Sequence, residues 1–345
     1  MVEISTIGLD IAKNVFQVHG VDVAGTVVVR RQLRRTEVLK FFGKVAPCLV
    51  GLEACGTAHY WARQIAALGH EVKLLAPARV KPYVKLGKKN DAADAAAICE
   101  AVTRPHMQFV PVKSAEQQAA LALHRARDLL VGQRTQLINA VRGHLAEHGI
   151  IARQGKQAFT VLIAMVRDDE ESRLPAVFRT ALRLLADQID DCSAKIEAIE
   201  RDIVACHRTN EVSSNLSTIP GIGPIIASAL AAAVPDPAMF KSGRQFAAWL
   251  GLVPRQNSTG GKERLGGITK AGDRYLRRLL VIGATGLIRY KRGNVPGGLA
   301  WLTKLLGSKP VRLVTVALAN KMARIAWAVM TSGEVYREVP VPQAA

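Results

Sequence analysis

The first third of the chain alternates between a period of two and a period near four. Val2, Ile4 and Thr6 are spaced by polar neighbours, and Ile7 and Leu9 carry the run on to Asp10. That predicts a strand over residues 2–10 with an acid at its end. Two more strands are predicted over residues 15–21 and 26–33, with Val23-Ala24-Gly25 as the turn between them. Thr36 opens a helix that runs to Val45, and Cys48-Leu49-Val50-Gly51-Leu52 is an apolar run of buried-strand type that delivers Glu53. A helix from Gly56-Thr57 to Gly69 and a strand over residues 71–75 follow, then an alanine-rich helix headed by Asn90, Asp91 and Asp94. From about Ser114 to Cys206 the pattern becomes that of long helices. Leu182, Leu185, Ile189, Cys192, Ile196, Ile199, Ile203 and Cys206 recur in steps of three and four, a heptad seam that predicts a coiled coil. Leu123, Leu130, Leu137, Val141 and Leu145 suit a partner helix, and both an antiparallel hairpin within one chain and a seam between protomers fit. Residues 153–173 are mixed and predict a turn. Residues 225–234 are apolar, and Phe246, Trp249 and Leu250 read as core. These shifts divide the chain into residues 1–112, 113–210 and 211–345.

Three strands in a meander, followed by helices alternating with strands, make an α/β fold of ribonuclease H-like topology, with a helical region and a mainly α segment after it. In that topology the first and fourth strands are neighbours, so Asp10 and Glu53 meet. Asp91 and Asp94, three apart, share one helix face. Taken alone, Asn90 or Asp91 reads first as a helix cap, with Asp94 favoured by the helix dipole. Together, four carboxylates repel one another unless cations neutralise them. Two divalent ions roughly 3.5–4 Å apart would do so and would clamp the attacking and leaving oxygens of a phosphodiester. Oxygen-only ligands select Mg2+ or Mn2+ over zinc.

Charge points to the same kind of substrate. The 345 residues carry a net charge of +19, the footprint of a nucleic-acid binder. Arg79, Lys81, Lys85, Lys88 and Lys89 lead into the Asp91 helix. Pro220-Gly221-Ile222-Gly223 fits both a tight turn and the hairpin of helix-hairpin-helix DNA binders, whose backbone amides at Gly221 and Gly223 would meet phosphates. Farther on, Arg255, Ser258, Lys262 and Lys270 lie in a glycine-rich polar stretch that leads to Arg274, Arg277 and Arg278 on one helix. Its glycines allow close approach of a phosphate, and its cations would stabilise a phosphoryl group under attack. Aromatic residues are scarce and no uninterrupted apolar span of membrane length is expected. Glu3 and Asp10 sit early, without the basic start of a secretory signal. The 5 cysteines (Cys48, Cys55, Cys99, Cys192, Cys206) lack zinc or C-x-x-C spacing and read as reduced, mostly buried thiols of a cytoplasmic protein.

Several segments in order carry a resemblance: Gly8-Leu9-Asp10-Ile11-Ala12-Lys13, Glu53-Ala54-Cys55-Gly56-Thr57, Lys89-Asn90-Asp91-Ala92-Ala93-Asp94, Ile219-Pro220-Gly221-Ile222-Gly223, and residues 244–255 from Arg244 to Arg255. Over nearly its whole length the chain resembles the DEDD-type insertion-sequence transposases, the bridge-RNA-guided recombinases. The resemblance implies a RuvC-like domain with acids at Asp10, Glu53, Asp91 and Asp94, and a C-terminal serine that joins covalently to DNA. By motif that serine falls on Ser258, with Thr259 beside it. It also implies a homo-oligomer, dimer or tetramer, around a structured non-coding RNA that pairs with donor and target DNA at the bacterial nucleoid. Three other readings use the same residues. They are a Holliday-junction endonuclease with the four acids and water, an actin-like ATP-dependent kinase, and a nucleic-acid-binding protein without catalysis. The kinase reading needs a second Asp-Gly phosphate loop that is not found in a convincing context.

Overall fold

The computed structural model describes residues 3–84, 90–151, 155–168, 174–257, 259, 261, 264–290 and 300–337. β1 (Thr6–Ile11), β2 (Val15–Val21) and β3 (Val27–Arg34) form an antiparallel meander. Asp22 sets the turn between β2 and β3: its Oδ1 accepts from the amides of Ala24 at 2.9 Å and Thr26 at 2.8 Å, and Gly25 takes φ +81°. β4 (Leu49–Glu53) pairs in parallel with β1, β5 (Glu71–Leu75) in parallel with β4, and β6 (Phe109–Val110) antiparallel to β5. The sheet order is therefore β3-β2-β1-β4-β5-β6, with the first and fourth strands adjacent as the topology requires. β1 begins at Thr6 rather than residue 2 and runs one residue past Asp10. β6 was not expected, since two residues are too few to show a period.

Alternation puts Ile7 and Leu9 on one face of the sheet, where they are fully buried with Phe16, Leu33, Val50, Leu52 and Leu74. α1 (Val38–Phe42) and α2 (Ala58–Ala66) cover this face through Val38, Phe42, Trp61 and Ile65. Burying such side chains stabilises the fold by roughly 1.5–3 kcal/mol each. α1 is shorter than the helix predicted from Thr36 to Val45, because Arg35–Glu37 forms a 3-10 turn instead. α3 (Pro77–Val80) and α4 (Asp91–Val102) belong to the other face, where Val80, Ala97, Ile98, Ala101 and Val102 pack with Leu75.

Residues 1–118 together with 234–239 form one compact unit, and residues 119–233 with 240–345 form the other. In the second, α5 (Ala115–Ala146) and α7 (Ala176–Arg208) run antiparallel within the one chain. α5 opens with a reciprocal cap, Gln117 N donating to Ser114 Oγ at 3.1 Å and Ser114 N to Gln117 Oε1 at 2.9 Å. Along the hairpin Arg127 pairs with Glu200 at 2.6 Å and Arg134 Nη1 donates to Ser193 Oγ at 3.4 Å, while Val141 and Leu145 share a cluster with Leu182. The mixed segment between them contains an unexpected helix, α6 (Lys156–Arg167), which inserts Leu162 and Val166 into that cluster. The α7 seam accordingly meets α6 and then α9 in succession rather than one long partner. Leu182, Ile189, Cys192, Ile196 and Ile203 are buried, but Cys206, expected on the seam, is exposed.

The rest of this unit is a helical assembly of α8 (Glu211–Ser217), α9 (Pro224–Ala233), α10 (Gly243–Trp249), α11 (Arg274–Tyr290), α12 (Ala300–Ser308) and α13 (Val311–Ser332), with a two-stranded ribbon of β7 (Pro254–Gln256) and β8 (Leu265–Ile268). α13 is long and apolar enough to cross a membrane, with a hydropathy of 1.3, although no span of that kind was expected. Half of that window is buried, and the helix lies against α8, α10, α11 and α12, so its apolarity is explained by its central place in the unit.

Candidate active site

Two short triplets build the site. Gly8-Leu9-Asp10 lies on β1 and Gly51-Leu52-Glu53 on β4, and the ladder sets Gly8 beside Gly51 and Leu9 beside Leu52. With a side-chain period of two, each glycine shares a face with the acid two residues on, so Asp10 and Glu53 emerge side by side from the face that α4 covers. The glycines are there because α4 lies directly on them. A Cβ at Gly8 would come within 2.1 Å of the Ala95 carbonyl oxygen and 2.4 Å of the Cys99 amide. One at Gly51 would come within 2.9 Å of Val102 Cβ. Cys99 Sγ lies 3.8 Å from the Thr6 carbonyl, so α4 runs antiparallel to β1: Cys99 at Thr6, Ala95 at Gly8, and the first turn beside Asp10.

That first turn holds Asp91 and Asp94. Asn90 is the cap, its side chain accepting from the Ala93 amide at 2.8 Å, so capping does not account for the two aspartates. Electrostatics register the convergence. The Asp10 carboxyl is pushed up to about 6, first by burial and then by the negative charges of Asp94, Asp91 and Glu53. Glu53, Asp91 and Asp94 are thus in electrostatic range of Asp10, but the four are not drawn into a closed cage. Among the described residues no three His, Cys, Asp or Glu side chains are grouped tightly enough to hold an ion. The donor set fits a hard divalent cation all the same: it is oxygen-only, and it contains one carboxylate whose ionisation is opposed by three others. The glycine seat was not among the expected functional features, although the repeated Gly-Leu-acid triplet announces it.

The nucleic-acid and nucleophile candidates divide. Lys85, Lys88, Lys89, Ser258 and Lys262 lie outside the described residues. Arg255, Lys270 and Arg274 are exposed. Arg277, expected on nucleic acid, also has a place in the local structure. Its Nη1 donates to the carbonyls of Leu250 at 3.0 Å and Ala271 at 2.8 Å, tying the start of α11 to the loop after α10. Gly221, φ +86°, is held inside the unit, a Cβ there meeting Met322 Cε at 3.0 Å, whereas Gly223 is exposed. At the base of the ribbon, Gly251 and Gly272 cross backbone on backbone, and between them Lys270 is forced to φ 55°. A lysine in the left-handed region costs about 1 kcal/mol. Lys270→Gly is therefore expected to raise the melting temperature by about 2 °C while weakening DNA binding. A lower melting temperature would show that the lysine backbone is not strained.

Comparison with known proteins follows the same two halves. A transposase family model for the DEDD domain of IS110 elements matches residues 7–150, and the model described as "Transposase IS116/IS110/IS902 family" matches residues 213–295. A protein of Pseudomonas aeruginosa named "Probable family 20 transposase" is 53% identical over 97% of this chain and 99% of its own. The transposase for insertion sequence element IS1328 of Yersinia enterocolitica is 41% identical over 97% of this chain and 99% of its own. That for IS1111A of Coxiella burnetii is 38% identical over 98% and 92%. A DEDD domain of this kind implies a divalent metal, and a transposase implies DNA as substrate. With acids at the meeting of β1, β4 and α4 and matches at both ends, the chain belongs to the IS110/IS116 family of DEDD transposases.

Proposed function

We propose that the protein cuts and rejoins the DNA of an insertion sequence with two sets of residues, the acids Asp10, Glu53, Asp91 and Asp94 and the nucleophile Ser258. The observation that carries this reading is the convergence of the four acids, supported by the raised pKa of the Asp10 carboxyl, whose ionisation burial and the other three oppose. Those acids would hold Mg2+ or Mn2+, which when bound supplies charge to offset that developing on the phosphodiester. The proton of the attacking hydroxyl passes to a carboxylate oxygen or a water at the site. Ser258 Oγ forms the bond to phosphorus, the sugar oxygen of the cut strand leaves with a proton, and attack by a second strand's hydroxyl rejoins the backbone and frees the serine. The phosphodiester energy is retained in the serine linkage, so no nucleotide cofactor is consumed. Exposed Arg255, Lys270 and Arg274 would neutralise backbone phosphates, and the net charge of +19 supports polyanionic partners generally. A structured non-coding RNA pairing with donor and target, and an oligomer assembled on it at the nucleoid, are supported by the family resemblance.

Trapping the covalent intermediate tests this. Wild type with Mg2+ and its DNA is expected to give a denaturant-resistant protein–DNA adduct. Ser258→Ala should abolish the adduct, by more than about 100-fold, and keep DNA binding. An adduct that survives Ser258→Ala and is lost in Thr259→Ala moves the nucleophile to its neighbour. Cutting with no adduct in the wild type would favour a hydrolytic endonuclease using the acids and water.

A further inference from the structure

A groove of about 870 Å³ opens in the C-terminal unit among α10, α12 and α13. Its residues are of two kinds. Trp301 and Trp327 bring indoles, and Arg244, Lys321 and Arg324 bring positive charge, while no acid lines it among the described residues. The geometry is built: a Cβ at Gly243 would meet the Arg324 backbone oxygen at 3.0 Å, so the start of α10 is seated on α13 and Arg244 is held on the same rim as Arg324. Lys321 Nζ sits 4.5 Å from the centre of the Trp301 ring, and the Trp301 indole N–H is buried without an acceptor among the described residues. Burial and the neighbouring Arg324 both depress the ionisation of Lys321, which marks a crowd of cations lacking a counter-charge.

We propose that this groove binds an unpaired segment of DNA, with bases against the indoles and phosphates on Arg244, Lys321 and Arg324. Aromatic faces serve exposed bases, and unpaired strands offer them, whereas a duplex keeps its base faces stacked inside. The volume suits one or two nucleotides rather than a duplex. DNA is favoured over RNA because cutting and exchanging DNA strands frees strand ends beside the enzyme. The inference rests on the reading of the protein as a DNA strand-transfer enzyme, but not on its metal or its nucleophile.

The test is fluorescence anisotropy of the full chain with labelled oligothymidine and with a labelled duplex, both in excess chelator so that the acid site plays no part. Trp301→Ala and the double variant Arg244→Gln/Arg324→Gln are expected to weaken oligothymidine binding by about tenfold each. Duplex binding should change by less than about twofold in both, and Trp301→Phe should retain most of the affinity. Should Trp301→Ala fail to fold, the double variant at exposed positions decides. Unchanged oligothymidine affinity in a folded variant overturns the proposal, as does an equal loss on duplex. A loss confined to oligouridine would assign the groove to RNA and overturn it too. If the groove variants bind oligothymidine normally while the wild type still cuts its DNA, the groove fails and the strand-transfer reading stands.

Discussion

Asp10→Asn is expected to make the metal-free protein more stable and to abolish strand cutting. The Asp10 carboxyl is raised from 3.8 to about 6 in the folded chain, so the fold holds its proton more tightly than the unfolded chain does. The sign follows from linkage. Below about pH 4 both states are protonated and the site carries no penalty, between about pH 4 and 6 the penalty grows, and above pH 6 it is fully present. The unscreened ceiling is about 3 kcal/mol, and because the group is half open to solvent about 1 kcal/mol is the realistic size. Asparagine removes that cost, so the melting temperature should rise by about 2 °C near pH 7.5 and stay put near pH 4. Mg2+ should stabilise the wild type at neutral pH and the asparagine variant much less. A variant destabilised at neutral pH would mean that Asp10 is not pressed by its neighbours. A variant that still cuts would remove it from the chemistry.

The second large effect is opposite in sign for the same substitution at two glycines. Gly8→Ala is expected to destabilise by about 3 kcal/mol and to abolish cutting, since the new methyl lands on the α4 backbone at Ala95 and Cys99, which cannot rotate away. Gly132→Ala, in the middle of α5 with open space around it, should stabilise by about 0.5–1 kcal/mol. Denaturant unfolding of both variants beside the wild type reads the difference. A Gly8→Ala protein as stable and active as the wild type would show that α4 does not rest on β1.

Where the chain repeats a strong period, its folded form was readable. The boundaries of β2 and β5 matched, and so did the start of α4 at Asp91, because alternation and an alanine run leave few alternatives. That the four acids come near one another was readable because Asp10 and Glu53 stand at or near the ends of adjacent strands and Asp91 and Asp94 open α4. The reach of α5 toward α7 was readable as pairing, but α6 was hidden: its apolar residues fill a shared cluster and carry no seam of their own. The local role of Arg277 was hidden for a related reason. A cation on the first turns of a helix looks the same in sequence whether or not it is tied to backbone carbonyls, and only the folded chain shows the bonds of Arg277 to Leu250 and Ala271. The apolar length of α13 was not expected, because Arg312, Lys321 and Arg324 interrupt its run in the sequence.

The seat of α4 on Gly8 also has a genetic consequence. Every missense change of a glycine codon adds at least a Cβ, and at Gly8 even the smallest addition meets backbone rather than a side chain that could yield. Copies of a mobile element decay one base at a time. At this codon no conservative replacement exists, so a single missense step is expected to silence a working copy.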